Sequence, residues 1–308
     1  MRPLVNISII NHYPIVISDF LDALLHEIES LNFDVQISRD FIRGGKNIIV
    51  EGFTPELNAG LIKNFQKCDE NLVLIMTEIV KDGKLDSTSP GPDEEVTGWY
   101  NKDSEKWTLR SKSFFEIVEY FGSIVCVSEE IYKSVLALNL SAKLIYWKPK
   151  YHGPVQGIDK IWKSNAQHRK TTSLMFSGSP TSYRDEQINN LRNSKISVAN
   201  CLPRYPNNVR ELFHKQSLLA FGPKHYRSTY QLSKMRLMWC LDHFFPIIMQ
   251  NCQGKTDLDE YCVFYDTIDD LIEKLHNYDR TLNECLAKNF EYIKATAGNQ
   301  TSLAEALS

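Results

Sequence analysis

Val5-Asn6-Ile7-Ser8-Ile9-Ile10 is followed by Ile17, Phe20, Leu21, Leu24, Leu25, Ile28 and Leu31 at three- and four-residue spacing, and then by Phe33-Asp34-Val35-Gln36-Ile37. The first and third stretches are short and rich in β-branched residues, as strands are; the middle one has the period of an amphipathic helix. A strand, a helix and a strand in that length make a unit of the size that a crossover between parallel strands requires. Asn47–Val50 supplies a third strand, a helix near Pro55–Lys67 follows, and Asn71–Met76 is an unbroken apolar run of the kind buried on both sheet faces.

The alternation then breaks. From about Lys81 to Arg110 the chain is rich in charged residues, Ser, Gly and Pro, and Pro90-Gly91-Pro92 marks a turn. This reads as a long loop carrying Trp99, Tyr100 and Trp107, and long loops in compact domains serve function. Helix Phe114–Tyr120, strand Ser123–Val127, a short helix from Ser128 and strand Lys143–Trp147 complete the first series. Between Lys148 and Lys170 there are six Lys/Arg against one Asp, with Pro149, Gly153, Pro154 and Gly157, the composition of a linker.

A second series follows: strand Ser173–Phe176, helix Asp185–Arg192, strand Ile196–Ala199, helix Asn207–His214 and strand Ser217–Phe221. Helix 228–243, strands Phe245–Met249 and Tyr261–Phe264, and helix Ile268–Tyr278 end it. The fold class is therefore α/β, with two Rossmann-like doubly wound domains expected to face each other across a cleft. The boundaries fall at 1–150 for the first domain, 151–170 for the linker, 171–290 for the second domain and 291–308 for a terminal helix.

Composition narrows the function. The 308 residues are 43% hydrophobic and 24% charged, which suits a folded domain pair and argues against disorder. A formal charge of −3 argues against a dedicated nucleic-acid binder. No apolar run reaches the roughly 18–20 residues of a membrane span, and the start lacks a signal peptide's long apolar region. Seven scattered cysteines with no Cys-x-x-Cys pair point to a reducing cytoplasm and away from zinc ribbons.

In doubly wound sheets ligands bind beyond the carboxyl ends of the strands, so the residues there carry the reading. Gly178 and Ser179 follow the second domain's first strand, with Arg184 close behind, a turn that can approach a phosphate. Lys224, His225 and Arg227 stand between a strand end and Ser228-Thr229-Tyr230-Gln231, a capping-box signature for a helix start. That arrangement adds side-chain cations to a helix dipole and suits an anion such as a diphosphate. Arg236 falls two turns further on, where a solvated surface charge is equally open. Asp266 and Thr267 follow the last strand and fit helix capping. In the first domain His12, Glu51 and Glu78 end strands one, three and four, where a histidine or carboxylate could take a proton from a hydroxyl.

This order of features resembles a GT-B glycosyltransferase, the two-Rossmann-domain class that uses nucleotide-activated sugars. Phe176-Ser177-Gly178-Ser179 with Arg184 is similar to the opening of such donor domains. Ser217–Met249, with Phe245-Pro246-Ile247-Ile248, resembles their donor helix and the strand after it. Phe264–Leu271 resembles the closing element, and Asn289–Ile293 the terminal helix that crosses back to the first domain. Thr77-Glu78 and Ile145–Pro149 fit the same layout. The Glu-x7-Glu signature of retaining group-1 members is absent, Lys234 and Asp242 standing at that spacing, as are the signatures of α1,3-fucosyltransferases. The resemblance is to the superfamily, with no family assigned.

The resemblance implies a nucleotide-sugar donor held by Gly178, Ser179, Arg184, Lys224, His225, Arg227, Ser228, Thr229, Asp266 and Thr267. It implies His12 or Glu78 as the catalytic base, and an acceptor bound near Glu51, Trp99 and Trp107. No cofactor and no metal are expected, the nucleotide sugar being a co-substrate. The acceptor is a glycan, a lipid-linked molecule or a protein; no nucleic-acid partner is expected, and the basic linker is open to peripheral contact with the inner face of a membrane. Two alternatives stay open: a CMP-sugar-dependent transferase of the sialyl or Kdo type, and a non-catalytic two-domain protein that binds a small ligand.

Overall fold

Short β-branched runs become strands here because their neighbours supply the faces that cover them. The computed structural model describes residues 2–10, 18–50, 52–85, 104–148, 150–152, 173–178, 180–201, 217–224, 227, 229, 234–299 and 301–308. The chain divides into two compact units, the first ending at Lys148 and taking up the final residues again, the second beginning at Pro149.

The first unit is built on β1 (Leu4–Ser8), β2 (Asp34–Ser38), β3 (Lys46–Val50), β4 (Asp69–Met76), β7 (Phe121–Cys126) and β8 (Lys143–Tyr146), with a small antiparallel hairpin of β5 (Val80–Lys81) and β6 (Lys84–Leu85). The six-stranded sheet has the order β2-β1-β3-β4-β7-β8. Every pairing in it is parallel. Helix α1 (Ser18–Ser30) buries Phe20, Leu21, Leu24 and Ile28, one face of a 3.6-residue period. Asn32 closes the turn after α1 with φ of 67°, a left-handed conformation that Asn tolerates. Helix α2 (Pro55–Asn64) starts from Thr54, whose hydroxyl accepts the Leu57 N–H, with Pro55 at the position where a missing N–H costs nothing. Residues Leu72 to Met76 are wholly buried, as the unbroken apolar run requires.

The segment expected to be loop up to Arg110 is different. Helix α3 spans Ser104–Ile117, so Trp107 stands in a helix rather than a loop. Its polar residues, Glu105, Thr108 and Lys112 among them, lie on the exposed side, while Ser111, Phe114 and Ile117 are buried. Helix α4 (Glu129–Leu136) follows, capped by Ser128.

The second unit repeats the plan with β9 (Ser173–Ser177), β10 (Ser197–Cys201), β11 (Leu219–Gly222), β12 (Ile247–Gln250) and β13 (Val263–Tyr265), in the order β10-β9-β11-β12-β13. All four pairings are parallel. Its helices are α5 (Ser182–Asn193), α6 (Lys234–Asp242), α7 (Ile268–His276) and α8 (Tyr278–Thr296). Leu174, Phe176, Phe221, Ile248 and Tyr265 from the strands form one core with Ile188, Leu191, Leu271 and Cys285 from the helices. Each such side chain contributes about 1.5–3 kcal/mol by leaving water.

Both sheets are therefore doubly wound, as their alternation of strand and helix implies. Each reverses its winding direction between its first and third strands: between β1 and β3 in one unit, between β9 and β11 in the other. At such a switch point neighbouring loops leave in opposite directions and open a crevice beyond the strand ends. The final residues return to the first unit, where α9 (Ala304–Leu307) lies beside β7 and β8.

Candidate functional site

The second unit's switch point has a defined geometry. Strand β9 runs out through buried Phe176 onto Gly178. Thr181, extended at φ −145° and ψ 157°, then caps α5 by accepting the Arg184 N–H at 3.2 Å. That cap places Arg184 one turn into the helix, 6% exposed, with its guanidinium carbon 5.3 Å from the centre of the Phe176 ring. Its Nε donates to the Lys224 carbonyl at 3.1 Å and its Nη2 to the Pro223 carbonyl at 3.4 Å. Arg184 thus ties the loop after β11 to the start of α5, across the crevice.

A second guanidinium converges on the same place. Arg236, near the start of α6, sits over the same Phe176 ring at 5.7 Å. A Cβ on Gly178 would lie 2.6 Å from Arg236 Nη2, 2.9 Å from Phe176 Cζ and 3.2 Å from Arg184 Nη1. Glycine is needed here for space, because any side chain would occupy the volume the guanidinium groups use. Two guanidinium groups brought to one glycine offer the charge-assisted donors that an anion is bound by.

Around this pair the strand ends form a continuous polar rim. Lys224 is half-buried, and its backbone N–H donates to Gln250 Oε1 at 3.0 Å. Gln250, at the end of β12, donates through Nε2 to the Tyr183 hydroxyl at 2.6 Å. Burial raises the Tyr183 phenol above its ordinary value. Arg227 is exposed, forms an ion pair with Glu186 and lies 5.1 Å from the centre of the Tyr183 ring. Beyond β12, Lys255 donates to Asn251 Oδ1 at 2.5 Å, and Asn251 donates to Asp266 Oδ1 at 2.9 Å. Lys234 opens α6 with its side chain 2% exposed and 2.7 Å from Asp257. Burial lowers its pKa, although Asp257 opposes that effect.

The residues singled out in the sequence distribute unevenly over this frame. Gly178, Arg184 and Lys224 come together at the switch point, and Arg227 stands on its rim. Thr267 accepts the Asp270 N–H as the cap of α7, and Asp266 donates its backbone N–H to Asp270 Oδ2 at 3.0 Å while holding Asn251. Thr229 is buried and outside any helix. Ser179, His225 and Ser228 lie outside the described residues, as do the helix start expected at Ser228 and the helix expected at Asn207–His214. Arg236, Tyr183 and Gln250 are the additions. Arg236 was legible only as a charge on a helix, and Gln250 only as the polar residue that ends an apolar strand.

In the first unit Glu78 follows β4 and is buried, with Arg110 Nη1 2.7 Å and 2.6 Å from its two carboxylate oxygens. Arg110 comes from α3, so this ion pair pins the helix to the carboxyl end of the sheet. His12, Glu51 and Trp99 lie outside the described residues, as does the side chain of Trp107. Among the described residues no helix is long and apolar enough to cross a membrane.

No family profile matches the chain, and no curated protein does. Among solved structures the chain is similar to an α1,3-fucosyltransferase at 12% identity, over 94% of this chain and 82% of that one, with a TM-score of 0.43. The crystal structure of an α1,3-fucosyltransferase with GDP matches at 11% identity over the same shares, with a TM-score of 0.39. The lipopolysaccharide outer core galactosyltransferase WaaB, in its apo form, matches at 9% identity, over 95% of this chain and 98% of that one, with a TM-score of 0.35. Likenesses this remote say nothing of substrate or reaction.

Proposed function

We propose that this protein is a glycosyltransferase of the GT-B kind, moving a sugar from a nucleotide-activated donor to an acceptor hydroxyl. The observation that carries the reading is the convergence of Arg184 and Arg236 on Gly178 at the switch point of the second sheet. Cations placed at strand ends before substrate arrives are what a departing nucleotide diphosphate needs, because negative charge grows on its oxygens as the sugar–oxygen bond breaks. The Lys224 backbone joins the same rim through Arg184 and Gln250, and its side chain is assigned as a further cation. With these side-chain charges, leaving-group stabilisation is assigned to the protein itself and no metal is invoked.

The first unit would bind the acceptor, a glycan, a lipid-linked molecule or a protein, and would supply the base. Both oxygens of Glu78 contact Arg110, so as a base Glu78 would take a proton on the lone pairs that this contact leaves. His12 and Glu78 are both assigned as candidate bases, with Glu51, Trp99 and Trp107 assigned to the acceptor. The chain would work in the cytoplasm, at the inner face of a membrane if its acceptor is lipid-linked.

Calorimetric titration with UDP, GDP, ADP and CMP tests the reading. We expect one diphosphate to bind, and R236A to weaken it by about tenfold or more, the worth of a charge-assisted hydrogen bond. Equal affinity of wild type and R236A for every nucleotide, or binding of none, refutes it. Preference for CMP alone would move the protein to the CMP-sugar-dependent class.

A further inference from the structure

Tyr183 has an assigned place in the core of no unit and no helix cap, yet its hydroxyl is held in one hydrogen-bonding state by its surroundings. The backbone N–H of Lys224 can only donate, so the Gln250 atom facing it at 3.0 Å is the carbonyl oxygen Oε1. The other end of that amide is then the NH2 group, which can only donate, and it meets the Tyr183 oxygen at 2.6 Å. Tyr183 is therefore an acceptor toward Gln250. Its own proton has to be directed elsewhere, and among the described residues the phenol donates to none.

The ring has a cation over it as well. Arg227 lies over it at 5.1 Å and is in turn paired with Glu186, from the next turn of α5. Gln250 is only 5% exposed, so the amide that orients the phenol is itself locked by packing. Tyr183 stands immediately before Arg184, at the start of α5, and Gln250 links it to the loop that carries Lys224. An oriented phenolic donor is thus tied, through Gln250, to the loop whose carbonyls Arg184 holds.

We infer that Tyr183 is a ligand-binding residue, its O–H donating a hydrogen bond to an oxygen of the diphosphate held by Arg184 and Arg236. This rests on the donor-site reading above and extends it to a neutral donor beside the cations. Gln250 is a positioning residue: it turns the phenol so that the lone pairs face the protein and the proton faces the ligand. A hydroxyl donating to a charged oxygen strengthens binding without adding positive charge to a pocket that already holds two guanidinium groups.

The test is calorimetric titration of the full chain with inorganic pyrophosphate, for wild type, Y183F and R236A, with thermal unfolding of each recorded alongside. We expect Y183F to bind pyrophosphate about tenfold more weakly at an unchanged unfolding midpoint. Wild-type affinity in Y183F, with affinity lost in R236A, overturns the inference and leaves the donor site standing. Failure of wild type to bind pyrophosphate, or undiminished binding by R236A, overturns both. Should Y183F not fold, 13Cζ-tyrosine NMR of wild type decides instead: the Tyr183 signal is expected to shift on adding pyrophosphate, and an unmoved signal refutes the assignment.

Discussion

The two sheets share one winding pattern and carry opposite chemistry at their carboxyl ends. In the first, the described strand ends after β4 present a carboxylate, Glu78, closed onto Arg110. In the second, Gly178 after β9 has Arg184 of α5 and Arg236 of α6 around it, and Arg184 holds the Lys224 carbonyl of the loop after β11. The strand order positions loops and says nothing of what they hold. What distinguishes the units is which residue follows each strand, and here one edge is an internal ion pair while the other gathers unlike elements around a shared positive charge. An edge of the first kind is closed on itself; an edge of the second kind is the one we propose binds an anion.

Glycines offer the sharpest way to break that contrast. A Cβ at Gly122, opening β7, would meet the Asp69 carbonyl oxygen and the Glu70 Cα, both at 2.6 Å, and backbone cannot step aside. We expect G122A to destabilise the protein by about 3 kcal/mol, read by denaturant unfolding, with nucleotide affinity preserved in whatever folds. At Gly178 the nearest atom is the tip of the Arg236 side chain, which can move. G178A should cost less, about 1–2 kcal/mol in the same measurement, the buried Phe176 ring 2.9 Å from the new Cβ supplying most of it. It should also lower diphosphate affinity by about tenfold, because the displaced guanidinium no longer reaches its ligand. If the two variants behaved alike in both measurements, the contrast between the edges would be lost.

The ion pair of the first unit gives a smaller effect. E78Q replaces a charge-assisted contact with a neutral one, and we expect it to cost about 1 kcal/mol of stability while diphosphate affinity stays at the wild-type value. A fall in affinity would show that the carboxylate serves the anion site after all.

High pH should separate the units more gradually. Burial pushes the Cys252 thiol up to about 11 and the Tyr261 phenol up to about 12, and raises Cys262, Tyr265 and Cys285 as well. All five belong to the second unit; in the first, burial pushes Cys126 up to about 12. In each case the folded value exceeds the unfolded one, near 9.0 for a thiol and 10.0 for a phenol. The stability these groups lend is present in full below the unfolded values and is lost as pH climbs toward the folded ones. Lys234, lowered by burial, acts in the opposite direction and offsets part of the loss. Amide hydrogen exchange between pH 9 and 11, corrected for intrinsic rate, should show β11 to β13 losing protection before β3 and β4. The reverse order would contradict the burial assigned to these thiols and phenols.

The strands were legible in the sequence because burial on both faces demands apolar runs, and Asn71–Met76 or Ile247–Met249 can be read as little else. Strand order was not, since an alternation of strands and helices is compatible with several windings. The start of α3 escaped notice because Ser104–Arg110 is mostly polar, and a helix that buries one narrow face leaves little periodic signal among charges. At the site, Gly178, Arg184 and Lys224 were found because they immediately follow strands or open helices. Arg236 was not: its role depends on the rotation of α6 about its axis and on the Phe176 ring beneath it. Gln250 and Tyr183 matter only through one another, across a separation in sequence that no local pattern encodes.

The return of the chain to its first unit also sets an order of synthesis. Leu303 and Leu307, buried beside the first sheet, are made after every strand of the second. The surface of the first sheet that these two leucines cover can therefore be completed only after the second unit's strands have been made.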